Sequence, residues 1–202
     1  MLEDEFLPAY DVADAVAVVV HANAGVTWAA LMDVDLIALG RRHPLAGLLG
    51  AVRLLPEMIG HLLHGEPPPA APKHMRLRDT TTMPASSGGW ILLGERSGEE
   101  IALGLVGKFW QPVIEYAHVT AEDFSAFSEP GYAKTVYALA VRPPESGEGT
   151  LLSAVMRTAT TDEHARRWFW RYWTFGVGSG AHVLAGGLLD AAREDAELRE
   201  TP

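Results

Sequence analysis

Few side chains in this sequence stand at the spacings that acid–base or metal chemistry requires. His61 and His64 lie three apart in a helical stretch, with His43 upstream, and that spacing can bring two imidazoles together for a metal ion. Neither a carboxylate nor a third histidine completes a recognisable ligand set, so these histidines read as a solvated helix face and no metal site is expected. His118 with Glu115, or Tyr116 with Arg157, would supply a proton donor and acceptor. Residue type alone suggests those pairs, and surface contacts or structural ion pairs are the expectation. Gly176-Val177-Gly178-Ser179-Gly180 lacks the lysine and the preceding strand of a phosphate loop and reads as a helix break or hinge. Cysteine is absent, which removes disulfides, thiolate chemistry and Cys-ligated zinc. The sequence therefore predicts no catalytic residue, no metal and no cofactor.

Its aromatic residues are the stronger signal. Trp168, Tyr172 and Trp173 crowd one helical stretch, and Trp90, Phe109, Trp110, Tyr116 and Tyr137 come from stretches that read as strands. Such side chains supply large apolar area with an occasional hydrogen-bonding edge, which suits the lining of a pocket for a small hydrophobic molecule. The same residues could equally form plain core under a sheet, and periodicity leaves the two readings open. Consecutive aromatics cannot all face one way on a helix, so some must lie on another surface, where they would suit a homodimer contact.

The elements that position these residues follow from pattern. Asp11 to Ala22 is rich in Val and Ala and reads as a strand buried on both faces or nearly so. Val26 to Met32 reads as a short helix, and Pro44 can open a second helical stretch that runs to Leu63 and is kinked at Pro56. Gly65 to Pro72 is a stiff connector. Strands are then expected at Met75 to Met83, Trp90 to Arg96 and Glu100 to Trp110, the last two joined by Ser97-Gly98-Glu99. Val113 to Val119 could extend the sheet, and one helical turn is expected within Thr120 to Phe127. Strands at Lys134 to Arg142 and Thr150 to Thr160 follow, the former with Thr135, Tyr137, Leu139 and Val141 on one face. Thr161-Asp162 offers an N-cap for the aromatic helix, and Ala181 to Leu198 resumes as helix after the glycines. The fold class is thus α+β, in one domain spanning residues 1–202.

Composition narrows the partners. The formal charge of -10 on 202 residues repels a phosphate backbone, so nucleic acid is not expected. The start of the chain is acidic where a secretory leader would be basic. Its longest apolar run, Ala15 to Val20, is far too short for a bilayer, so no membrane insertion and a cytoplasmic location are the expectations.

The order of elements and three local stretches resemble the START and birch-pollen-allergen superfamily, also called SRPBCC or polyketide cyclase-like proteins. Gly104-Leu105-Val106-Gly107-Lys108-Phe109-Trp110 is similar to a G-x-x-G-x-F-W segment in a group of bacterial members. Phe124 to Lys134, with Phe127, Pro130-Gly131 and Ala133-Lys134, resembles their next stretch. Thr161 to Arg167, followed by Phe169 and Tyr172-Trp173, resembles the start of their terminal helix. The resemblance implies a helix-grip fold, in which a curved antiparallel sheet wraps a long C-terminal helix, with two short helices after the first strand. It also implies a cavity for a lipid, polyketide or similar ligand, and with no catalytic residue read from the sequence, binding without catalysis is the expectation. The alternative within the superfamily is an aromatase/cyclase- or dehydratase-like enzyme. The expected break at Gly176 to Gly180 departs from the family's uninterrupted gripping helix.

Overall fold

The computed structural model describes residues 1–42, 73–80, 90–144 and 147–201. A short helix, α1 (Leu2–Phe6), leads into strand β1 (Val12–Val20). Helices α2 (Ala24–Asp33) and α3 (Leu36–Arg42) and the turn α4 (Leu77–Thr80) come next. Strands β2 (Ile91–Arg96) and β3 (Glu100–Gly107), the turn α5 (Ala121–Phe124), and strands β4 (Ala133–Arg142) and β5 (Thr150–Thr160) follow. The chain closes with α6 (Glu163–Tyr172), a π-helical turn (Trp173–Val177) and α7 (Gly178–Glu200).

The strands form one antiparallel sheet in the order β1-β5-β4-β3-β2, so the chain is α+β. Side chains alternate across a strand, and the register turns that alternation into rows. Asp14, Met156, Tyr137, Leu103 and Leu92 stand side by side on the inner face. The next row toward the end of β1 holds Val16, Ala154, Leu139 and Ile101. Apart from Asp14 and Met156, these residues make the main core together with Leu31 of α2 and Leu188, Leu189 and Ala192 of α7. Each fully buried Leu or Ile contributes about 1.5–3 kcal/mol.

The outer face carries a smaller core. Leu2 of α1 and Phe124 of α5 cover Leu93, Val106, Val136 and Ala138 there. The Leu2 N–H donates to the buried Glu100 Oε2 at 3.2 Å, and Arg96 and Arg142 neutralise that carboxylate. This outer cover stops short of β1, an edge strand whose Ala13, Ala15, Ala17 and Val19 are exposed. The expectation of burial on both faces is therefore corrected. An alanine-rich edge strand has the composition of a buried one while exposing little apolar area.

Helix starts are fixed by side-chain caps. Asn23 accepts the Val26 N–H for α2, and Thr120 accepts the Asp123 N–H for α5. Asp162 Oδ1 accepts the Ala165 N–H at 2.7 Å while its Oδ2 accepts the Gly131 N–H at 2.6 Å. These hydrogen bonds hold the Asp162 carboxyl below its ordinary range, and they tie the start of α6 to the start of β4.

Two further expectations are corrected. Residues 75–80 are not strand: Asp79 Oδ2 accepts the Arg76 N–H at 2.8 Å and the Thr80 hydroxyl donates to the Leu77 carbonyl at 2.6 Å, closing a helical turn instead. The Val113 to Val119 stretch joins the sheet only through the single bridge between Gly107 and Tyr116. The helix proposed from Pro44 to Leu63 and the Gly65 to Pro72 connector lie outside the described residues, whereas α3 was not foreseen.

The glycine-rich stretch does not break the terminal helix. It becomes a π-turn, in which the Gly178 N–H donates to the Trp173 carbonyl, and helix continues on both sides. A π-turn absorbs roughly one extra residue and so rotates the following face by about 100°. By that rotation Ala181, Leu184, Ala185 and Leu188 of α7 come onto the same side as Phe169 of α6, toward the sheet. Among the described residues, no helix is long and apolar enough to cross a membrane.

Candidate functional site

An apolar cavity of about 430 Å³ lies between the inner face of the sheet and the helices that cover it. Its floor is the strand row itself, with Leu103, Tyr137 and Met156, and Trp90 stands beside it just before β2. Ala181, Leu184, Ala185 and Leu188 of α7 form one wall, a stripe at the i, i+3, i+4, i+7 spacing of one helix face. Leu36 and Leu39 of α3, with Met75, Leu77 and Thr80, form the other described wall. On the helix side Ala181 and Ala185 leave little side-chain volume facing the floor of Leu103, Tyr137 and Met156.

The α3 wall is fixed by one carboxylate. Asp35 Oδ1 accepts the N–H groups of Ile37 at 3.0 Å and Ala38 at 3.3 Å, capping the helix, and also accepts Met75 N–H at 3.3 Å. Asp35 Oδ2 meets His74 Nδ1 at 2.6 Å. The His74 bond, backed by those backbone donors, pulls the Asp35 carboxyl down to about 2. Leu36 and Leu39 on one side and Met75 and Leu77 on the other are thereby held together.

Polar groups in the described lining are few. The Thr80 hydroxyl is engaged with the Leu77 carbonyl. The Tyr137 hydroxyl makes no hydrogen bond to a described residue. Burial pushes the Tyr137 phenol far above its ordinary range, and the negative charge of Asp14 adds to the push, so the group stays a neutral donor. Asp14 itself pairs with His182 Nδ1 at 2.9 Å across β1 and α7. One row farther along, the Thr135 and Thr158 hydroxyls bond each other at 2.8 Å.

Of the aromatics singled out by sequence, Trp90 and Tyr137 border this cavity. Phe109, Trp110, Tyr116, Tyr172 and Trp173 gather instead at the far end of the inner face, around the buried Phe169. Trp173 stacks on Phe169 with centroids 5.9 Å apart and planes at 26°. Trp168 is 44% exposed, with the Arg171 guanidinium 5.1 Å from its ring centroid, and Phe175 is 88% exposed. Sequence reasoning missed Leu103 and Met156, although each shares a row with Tyr137. It also passed over Ala181 and Ala185, whose helical spacing from Leu184 and Leu188 was readable.

The polar pairs suggested by sequence are engaged elsewhere. Glu115 accepts from Tyr132 Oη at 2.7 Å and from Lys108 Nζ at 2.9 Å, and these two bonds hold its carboxyl below the ordinary range. Arg157 pairs with Asp4 at 2.8 Å and lies over the Tyr10 ring, while His118 is exposed. His43, His61 and His64 lie outside the described residues. Among the described residues, no group of three acidic or histidine side chains could hold a metal. A second hollow, of about 450 Å³ between α3 and α7, is lined by Asp33, Asp35, Asp190, Glu194 and Asp195. Its aspartates are drawn into ion pairs, such as Asp33 with Arg199 at 3.1 Å and Asp190 with Arg193 at 2.9 Å. Compared with family models, curated proteins and solved structures, the chain matches none.

Proposed function

We propose that this protein binds a small hydrophobic molecule, without transforming it, in the cavity between the sheet and α7, and that the arrangement is a helix-grip of the START and birch-pollen-allergen kind. The observation that carries the reading is the cavity of about 430 Å³ whose described walls are Leu, Met, Ala and Trp side chains with one phenol. Pockets for drug-sized ligands fall in this size range and have this make-up, an apolar lining with a few placed polar groups. Leaving such a surface facing water is unfavourable at roughly 25 cal/mol per Å², and an apolar ligand removes that cost. Proton-transfer catalysis requires an acid or base within reach of the reacting atom. The described lining offers one phenol held neutral, one indole N–H and one threonine hydroxyl already engaged, none of them a base, which favours holding over turnover.

Native mass spectrometry of the full chain, followed by solvent extraction, tests the reading. The expected result is a noncovalent adduct of defined mass that passes into the organic phase as an intact apolar molecule. A chain that carries no apolar molecule and takes up none when challenged with neutral hydrophobic probes would overturn it. Recovery of a substrate and product pair would replace binding with turnover.

A further inference from the structure

Tyr137 sits at the centre of the inner-face row, between Leu103 on β3 and Met156 on β5, and both of these neighbours also line the cavity. Two donors of the described lining have no described acceptor, the Tyr137 hydroxyl on the cavity floor and the indole N–H of the more exposed Trp90, whereas the Thr80 hydroxyl donates to Leu77. Tyr137 is half-buried, and a ligand that covers its hydroxyl strips it of water, which is unfavourable unless the group regains a partner. The described walls offer no acceptor side chain free to take that hydrogen, so a ligand that covers the hydroxyl must bring its own acceptor.

The charges around the cavity restrict what that ligand can be. No lysine or arginine belongs to the described lining. The nearest charge that acts on Tyr137 is the Asp14 carboxylate, two strands away in the same row, and the whole chain carries -10. An anionic headgroup would be desolvated there without a counter-charge and would feel like-charge repulsion. We propose that the molecule held in the cavity is neutral and presents one hydrogen-bond acceptor, a carbonyl or ether oxygen, to the Tyr137 hydroxyl. The same chemistry, read from the described lining, disfavours free fatty acids and other carboxylates. This rests on the binding function proposed above and names the ligand class for it.

Three naphthalenes of matched size test the inference on the full-length chain: 2-acetylnaphthalene, 2-ethylnaphthalene and 2-naphthoate. Affinities are read by isothermal titration on the wild type and on Tyr137→Phe. The substitution is expected to weaken the ketone by roughly three- to tenfold, the range of one net hydrogen bond, and to leave 2-ethylnaphthalene unchanged. In the wild type, 2-naphthoate should bind more weakly than either neutral probe. A readout independent of the variant is the carbonyl stretch of the bound ketone, which should fall to lower frequency than in hexane. Equal effects of Tyr137→Phe on both neutral probes, an unshifted carbonyl, or tightest binding of 2-naphthoate would overturn this inference and leave the apolar pocket standing. Failure of all three probes to bind would remove the pocket reading itself, and this inference with it.

Discussion

Gly178 and Gly186 belong to the same helix, yet alanine should act on them with opposite signs. In a helix interior, replacing Gly by Ala gains about 1 kcal/mol through propensity. At Gly186 an added Cβ would meet nothing within 4 Å, so Gly186→Ala should deliver most of that gain. At Gly178 the backbone is ordinary right-handed helix, with φ -58 and ψ -47, so conformation raises no objection. The added Cβ, however, would lie 2.7 Å from Trp173 Cε2 and 2.9 Å from its Nε1. The indole cannot swing away cheaply because its other side stacks on the buried Phe169. Overpacking of this kind costs about 1–3 kcal/mol, which cancels or outweighs the propensity gain. Gly178→Ala is thus expected to be neutral to about 2 kcal/mol destabilising, a gap of about 1–3 kcal/mol from Gly186→Ala. Urea denaturation followed by far-UV circular dichroism reads both values in one experiment. Equal stabilisation by the two substitutions would show that Trp173 is not seated on Gly178, and the account of the π-turn would fail with it.

Two other perturbations follow from buried and capping carboxylates. Glu3 is 2% exposed and its Oε2 has no hydrogen-bond partner, so Glu3→Met should raise stability by about 1–3 kcal/mol, and a lower melting temperature would contradict this. The Asp35 carboxyl is depressed from 3.8 to about 2, chiefly by His74, so its contribution is full above the unfolded value and is lost as the pH falls through the folded one. Asp35→Asn should therefore be less stable than wild type at pH 5, with the gap closing as the pH falls from 3.8 toward 2; a gap that persists at pH 2 in chemical denaturation would refute the role given to the carboxylate.

The strands from Trp90 onward were legible as short apolar runs set off by turn residues such as Ser97-Gly98-Glu99, although the run expected to reach Trp110 ends as strand at Gly107. Thr150–Thr160 even matches its expected ends. Asp162 and Thr120 were legible as caps because a short oxygen acceptor precedes each helical turn. The terminal glycines misled because propensity is local. Trp173 stacks on Phe169 in the turn before it and lies against Gly178 in the turn after it, contacts along the helix that single-residue propensities leave out. The site was harder to read for a different reason. A search for large aromatics finds the places where the chain has volume to fill space, and here it leads to the packed block around Phe169. A cavity lies where volume is lacking, opposite Ala181 and Ala185, and only the cross-strand register places Leu103 and Met156 beside Tyr137.

The central claim is that the cavity, and not the exposed aromatics of α6, takes up the ligand. The most direct test is saturation binding of Nile red, a neutral solvatochromic dye, to the full-length wild type, to Ala181→Phe and to Trp168→Ala. Ala181 borders the cavity and is only half-buried, so phenylalanine can fill the hollow without entering tight core. Trp168 lies exposed on α6, outside the described lining. The account predicts saturable one-to-one binding with a blue-shifted emission in the wild type and in Trp168→Ala, and its loss in Ala181→Phe. Binding that survives in Ala181→Phe and disappears in Trp168→Ala would place the dye on the surface patch and contradict the claim.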